Sequence, residues 1–163
     1  MIENIIFSKI IVDDYEKLTD IMTRAFNEDT SMHTKLKEDG PTGYNDGSLI
    51  KKLNENIKNT SMKILYKNEV VGAYTIYEGD NETFYLDMLF IDPNYKNKSL
   101  GKLKWQHVEK TYRTAKKSSV ETPEYSKRNH YFYSGKCRFI LTWEKTYEME
   151  KNHIFLKNNF NIS

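Results

Sequence analysis

Cysteine is almost missing from this sequence: Cys137 stands alone in 163 residues. An intrachain disulfide is therefore impossible, and the pattern fits a reducing cytoplasm. Long apolar runs are missing too. Nothing approaches the ~18 consecutive apolar residues that a membrane span needs. The first segment, "MIENIIFSKIIVDDYEK", lacks a basic leader and a small-residue cleavage site, and Glu3 and Lys9 interrupt it. It reads as a strand and not as a signal peptide. A dominant charge is lacking as well, since 25 Lys and Arg face 23 Asp and Glu. Overall charge thus selects no partner class. His33, His107, His130 and His153 show no ligand spacing, so no metal is expected.

What is present is bulky apolar material, with 12 Tyr and 8 Phe, enough for a core in one domain spanning 1–163. Residues 5–12, "IIFSKIIV", predict a strand. Asp13 or Asp14 can start a helix on which Tyr15, Leu18, Ile21, Met22, Ala25 and Phe26 recur at helical spacing. Residues 28–48 read as a long polar loop. A second helix follows Ser48, with Leu49, Leu53 and Ile57 on one face. Residues 61–93 read as three antiparallel strands with turns near Asn68-Glu69 and Gly79–Asn81. A helix over 99–112, a strand at "SSVETP", a short helix at "YSKRNHYFYS" and a final strand pair complete the chain. The order βα(α)βββαβαββ has no internal repeat and suggests an α/β sandwich around a mixed sheet.

The chemistry concentrates in "LDMLFIDPNYKNKSLGKLKWQHVEKTY", residues 86–112. Pro93 ends the strand because it cannot donate to a ladder. The helix after Ser99 would offer free N–H groups and the positive end of its dipole, which together suit phosphate. From 96 to 117 eight basic residues face one acid, Glu109, so the rest of the chain is net acidic. The plain alternative is a solvated basic helix. The stretch is neither a Walker A motif, since Leu103 follows Lys102, nor a dinucleotide fingerprint, since it has one glycine. Nucleic-acid binding is not expected, because only Trp105 and Tyr112 interleave the basic residues.

The same stretch resembles the acetyl-CoA-binding segment of the GNAT N-acetyltransferase superfamily: a hydrophobic strand, a proline, then Q/R-x-x-G-x-G/A opening a helix. Here the six positions are Lys96, Asn97, Lys98, Ser99, Leu100 and Gly101. "FYSGKCRF", 132–139, is similar to the family's F-Y-x-K-x-G-F, and the element order suits the fold across nearly the whole chain. The resemblance implies an α+β fold, with a mixed, mostly antiparallel sheet of about six to seven strands and about four helices. It implies acetyl-CoA as cosubstrate and a small-molecule or peptide amine as acceptor. Homodimers through the last strands are frequent in the family.

The resemblance also assigns residues. The backbone of Met88, Leu89, Phe90 and Ile91 would pair with the pantetheine arm, on a strand that splays from its neighbour. The N–H groups of Asn97 to Lys102 would cradle the pyrophosphate. Lys96 keeps the charge of the usual Q/R position but not the arginine fork. Ser99 brings a Cβ where the family has glycine, and it is also a good helix cap. Tyr133 corresponds to the family's acid for the leaving thiolate. Ser126 stands where the family often has Asn, and Asn129 lies one turn later. Arg138 replaces a glycine, and one extra residue follows Tyr133. Asp87, Glu121 or a water chain would deprotonate the amine. Glu28, Asp29, Glu38, Asp39 and Asp46 can attract a cationic acceptor, and Tyr44, Tyr74, Tyr77 and Trp143 can line an apolar pocket. A GNAT-like module that binds acyl-CoA or a protein without turnover is the alternative that these departures leave open.

Overall fold

The structure, a computed structural model, describes residues 5–78, 83–95, 107, 117–123, 140–148 and 151–158, with side chains for 5–78, 85–95 and 107. Seven strands form one sheet in the order β1-β2-β3-β4-β5-β7-β6. They are β1 (Ile5–Lys9), β2 (Asn59–Tyr66), β3 (Glu69–Glu78), β4 (Thr83–Ile91), β5 (Lys117–Pro123), β6 (Ile140–Glu148) and β7 (Lys151–Asn158). Every neighbouring pair is antiparallel except β4 and β5, which run parallel. Two helices are described, α1 (Tyr15–His33) and α2 (Ser48–Glu55), with 3-10 turns at Val12–Asp14 and Pro93–Tyr95. This is the expected mixed α+β architecture. The helices expected over 99–112 and 125–134 lie outside the described residues, apart from His107, which is helical.

Local chemistry explains most boundaries. The first strand ends at Lys9 and not at Val12, because Asp14 turns the chain: its carboxylate accepts from the Ile11 N–H at 2.9 Å. The same carboxylate takes both bonds from Lys63 Nζ of β2, at 3.0 and 2.8 Å. This ties the entry of α1 to the sheet. Helix α1 runs on to His33, so the polar loop starts at Thr34 and Glu28 and Asp29 are helical. Gly47, at φ +89°, precedes α2, and the Ser48 hydroxyl binds Asp46 instead of capping. Helix α2 stops at Glu55, and Ile57 is 98% exposed rather than in the apolar face. The β2–β3 turn is Lys67-Asn68, one residue earlier than expected. Both have positive φ, as tight hairpins of matching twist require.

Apolar packing forms on both sheet faces. Leu18, Ile21 and Met22 of α1 bury against Ile50 of α2 and against Ala73, Met88 and Phe90 of β3 and β4. On the other face Ile64 and Val71 pack with Phe7, Tyr66, Ile91 and Tyr95. The His107 ring stacks on Phe7 at 3.7 Å and 3°, and lies 6.0 Å from Tyr74.

Gly72 of β3 sits opposite Ile91 of β4. A Cβ there would strike the Phe90 carbonyl oxygen and come within 3.1 Å of Ile91 Cα. Both obstacles are backbone, so relief would have to shift β4 itself. Gly72→Ala should therefore cost about 1–3 kcal/mol, the usual range for overpacking. Urea unfolding measures it, and an unchanged midpoint would show that the two strands do not approach this closely.

Candidate functional site

Two features of β4 shape the site. The first is a bulge. Thr75 pairs with Met88, but the next residue of β3, Ile76, pairs with Leu86. Asp87 is the extra residue, and such an insertion bends and twists the strand that carries it. Residues directly opposite share a face. Ala73, Thr75, Met88 and Phe90 therefore share the face that α1 covers, and past the bulge Tyr77 and Tyr85 continue it. These two rings lie 6.0 Å apart, with Tyr85 exposed.

The second feature is a parting of strands. The parallel ladder joins Thr83 to Lys117 and ends at Leu86 with Val120. Beyond that pair, β4 stays with β3 as far as Gly72–Ile91. In β5, Glu121, Thr122 and Pro123 stay with Phe155, Ile154 and His153 of β7. From Met88 to Ile91 the ladder to β5 has no rung among the described residues. Such an edge can receive an extended, amide-bearing ligand as an added strand. Asp87 and Glu121, the two candidate bases, are the first residue past the last rung on either strand.

The strand end is held from below. Asp92 follows β4 and is 5% exposed. Its N–H donates to the Val71 carbonyl at 2.7 Å. Its Oδ1 accepts from the Asn94 N–H at 2.9 Å and its carbonyl from the Tyr95 N–H at 2.8 Å, which builds the Pro93–Tyr95 turn. From α1, the Arg24 guanidinium reaches both carboxylate oxygens, Nη1 to Oδ1 at 2.7 Å and Nη2 to Oδ2 at 2.9 Å. Asp20, one turn earlier, accepts from Nε and Nη2 at 3.1 and 3.0 Å. Hydrogen bonds from Arg24 outweigh burial and hold the Asp92 carboxyl below the usual carboxylate range, and the Asn94 N–H adds to this. The Arg24 pKa is raised in turn, chiefly by its hydrogen bond to Asp92.

The region between α1 and α2 departs in part from expectation. Tyr44 is buried, its hydroxyl donates to Asn27 Oδ1 at 2.6 Å, and its ring meets Phe26 edge-on at 6.0 Å. Burial, then Glu38 and Asp39, raise its pKa. Tyr74 is core, 1% exposed. Asp29 is buried, and the Asp46 carboxylate takes the Ser48 hydroxyl and N–H, which lower its pKa. The Asp39 carboxylate likewise accepts from the Gly40 N–H at 2.9 Å.

The expected site residues divide sharply. Met88 and Phe90 bury their side chains in the core, Leu89 and Ile91 are half-buried, and Asp87 is exposed. Glu121 lies on β5. Lys96 to Lys102, Ser126, Asn129, Tyr133 and Arg138 lie outside the described residues. Sequence reading missed Arg24, Asp92 and the bulge. Asp before Pro hinted at a turn cap. Arg24 gave no signal, because its partner is 68 positions away.

Residues 18–139 match the sequence profile of the acetyltransferase (GNAT) family. The chain belongs to the GNAT family. Its fold is similar to the ribosomal-protein-S18-alanine N-acetyltransferase of Escherichia coli, with TM-score 0.71, 11% identity and coverage of 98% of this chain and 96% of that one. An acetyltransferase of Thermus thermophilus aligns with TM-score 0.75 and 11% identity over 97% and 98% of the two chains. The PaiA N-acetyltransferase of Thermoplasma acidophilum, solved in complex with coenzyme A, gives 0.71 and 15% over 95% and 98%. In sequence, 56 residues are 33% identical to the uncharacterized protein YrkN of Bacillus subtilis, 34% of this chain and only 30% of that protein. No group of His, Cys, Asp or Glu among the described residues of this GNAT chain could hold a metal ion. No described helix is long and apolar enough to cross a membrane.

The Asp92 carboxylate gives a pH prediction. Its folded pKa is depressed below its unfolded value of about 3.9. Its contribution to stability is then complete above that value and is lost as pH falls through the folded pKa. The stability difference between wild type and Asp92→Asn should be full at neutral pH and shrink below about pH 4. Urea unfolding across that window measures it. A difference constant down to the acid end would mean that the charge of Asp92 contributes nothing.

Proposed function

We propose that this chain is an acetyl-CoA-dependent N-acetyltransferase that acetylates a primary amine of a small molecule or peptide by direct attack in a ternary complex. The reading takes 1–163 as a single acetyltransferase domain working in the cytoplasm. The observation that carries it is the open edge of β4 past the Leu86–Val120 rung, in a chain of the GNAT family. Membership alone supports an acyltransferase; the acceptor and the mechanism are the proposal. The solved relatives named for S18 alanine and crystallised with coenzyme A fit it.

Acetyl-CoA would supply an activated thioester. The main chain of Met88, Leu89, Phe90 and Ile91 holds the pantetheine arm by strand-like hydrogen bonds. The segment Lys96, Asn97, Lys98, Ser99, Leu100, Gly101 and Lys102 takes the pyrophosphate, with Ser126 and Asn129 as further contacts. Asp87 or Glu121, at the fork of the strands, removes a proton from the amine directly or through water. The Tyr133 hydroxyl returns a proton to the leaving thiolate. The exposed ring of Tyr85 with Tyr77 offers the acceptor an aromatic floor beside Asp87.

Calorimetric titration with acetyl-CoA, with ATP for comparison, is the first test. Micromolar binding of acetyl-CoA, far tighter than ATP, is expected, and Gly101→Glu should abolish it in a folded protein. Tyr133→Phe should then lower kcat roughly 100-fold or more with little change in acetyl-CoA affinity, the scale of one lost general acid. No binding at millimolar acetyl-CoA sinks the reading, and an unchanged kcat removes Tyr133 from the mechanism.

A further inference from the structure

We propose that the acceptor is a primary amine carried on an aromatic body with no second positive charge, received on the Tyr85 face of the sheet, with Tyr85 as its specificity-determining contact. The inference rests on the acetyltransferase reading above and narrows its acceptor.

The two faces of the sheet differ at the last rung between β4 and β5. Leu86 lies on that rung and pairs with Ile76 of β3. Both are buried, 4% and 3% exposed, so their face is closed there. One residue earlier, on the other face, Tyr85 is 39% exposed. Its partner Tyr77 holds its ring 6.0 Å away, tilted by 51°. The open side of the fork is therefore the side of Tyr85.

The ladders carry this face across the parting of the strands. Directly paired residues share a face, and alternation along each strand fixes the next ones. Tyr85 pairs with Ser119 of β5, and Ser119 pairs with Lys157 of β7. Two residues after Ser119, Glu121 shares that face, and its partner on β7 is Phe155. The candidate base Glu121 thus stands on the face of Tyr77 and Tyr85. Asp87, at the bulge, falls outside this alternation.

The residues on these rungs select the body of the amine. Among the described residues on the rungs through Tyr85 and through Glu121, Glu121 is the one acid and Lys157 the one basic residue. Glu121 is committed to the reacting nitrogen. A second ammonium would find no second carboxylate on these rungs and would share the face with Lys157, and like charges placed together reject a ligand. An aromatic body suits Tyr77, Tyr85 and Phe155, because ring contacts add to the gain from apolar area removed from water. Tyr85 is the ring of the Tyr77–Tyr85 pair with the larger area left to cover.

The test uses the full chain, acetyl-CoA and two primary amines, 2-phenylethylamine and 1,4-diaminobutane. The kcat/KM for 2-phenylethylamine should exceed that for 1,4-diaminobutane roughly 10- to 100-fold, the scale of discrimination by an apolar contact. Tyr85→Ala should raise KM for 2-phenylethylamine roughly 10-fold and leave kcat within about twofold, the mark of binding lost equally from ground and transition states. Its dissociation constant for acetyl-CoA should stay within about twofold of wild type. Tyr85→Phe should keep the preference, since the ring and not the hydroxyl makes the contact. Should Tyr85→Ala fail to fold, the two amines compared on wild type and on Tyr85→Phe still decide. Equal use of both amines, a preference for 1,4-diaminobutane, acetylation of neither by a chain that binds acetyl-CoA, or an unchanged KM in folded Tyr85→Ala overturns the proposal. A wild-type chain that does not bind acetyl-CoA instead overturns the acetyltransferase reading beneath it.

Discussion

Strand β4 parts from one of its two neighbours midway along its length, and that parting organises the site. Strand β4 is antiparallel to β3 and parallel to β5. Its bulge at Asp87 adds a residue on one side of the ladder and changes the twist where the rung to Val120 is the last. The two halves of the sheet then go separate ways, β4 with the α1-covered half and β5 with β7 and β6. In water an open edge of this kind would be an aggregation hazard if it were long and flat. Here it is short and lies inside the sheet, past the last rung to β5.

An open strand edge is a fixed template only if its strand holds still. On the β4 side, rigidity comes from both faces. Met88 and Phe90 lock into the α1 core, and Ile91 into the cluster around Ile64 and Val71. Gly72 lets β3 approach β4 closely enough for this, since any side chain there would meet the β4 backbone. The Asp14–Lys63 pair fixes where α1 begins against β2. Nearly three turns later, Arg24 ties the far end of β4 through Asp92. The chain entering α1 and α1 itself are thus tied to β2 and to the far end of β4.

The legible part of the sequence was what depends on local pattern. Period-two apolar residues and tight turns gave the hairpins of β2, β3 and β4, and the apolar stripe of Leu18, Ile21 and Met22 gave α1 and its buried face. Boundaries set by side-chain chemistry were less legible. The Asp14 carboxylate shortened β1, and Ile57 fell outside α2 although it kept the helical spacing. Register was illegible in principle. Nothing in "YLDMLFI" says that Asp87 is the residue left over, because a bulge exists only in the pairing of β4 with β3. Of the site, the loop motif and the pantetheine strand came from family resemblance, while Arg24 and Asp92 belong to a pairing that only folding brings together.

That division bears on how the departures from the family motif should be read. Lys96 and Ser99 weaken the motif as a string, since the arginine fork and one glycine are gone. A string, however, records only the groups that touch the ligand. The cost of binding also includes ordering the segment that carries them. In this chain the turn that feeds the segment is tied to a buried helix by two charge-assisted bonds and to itself by two more through Asp92. A motif with fewer direct contacts can hold its ligand if less freedom is lost on binding. A motif string therefore counts only part of what sets an affinity, since it leaves out how far the chain leading to it is already ordered.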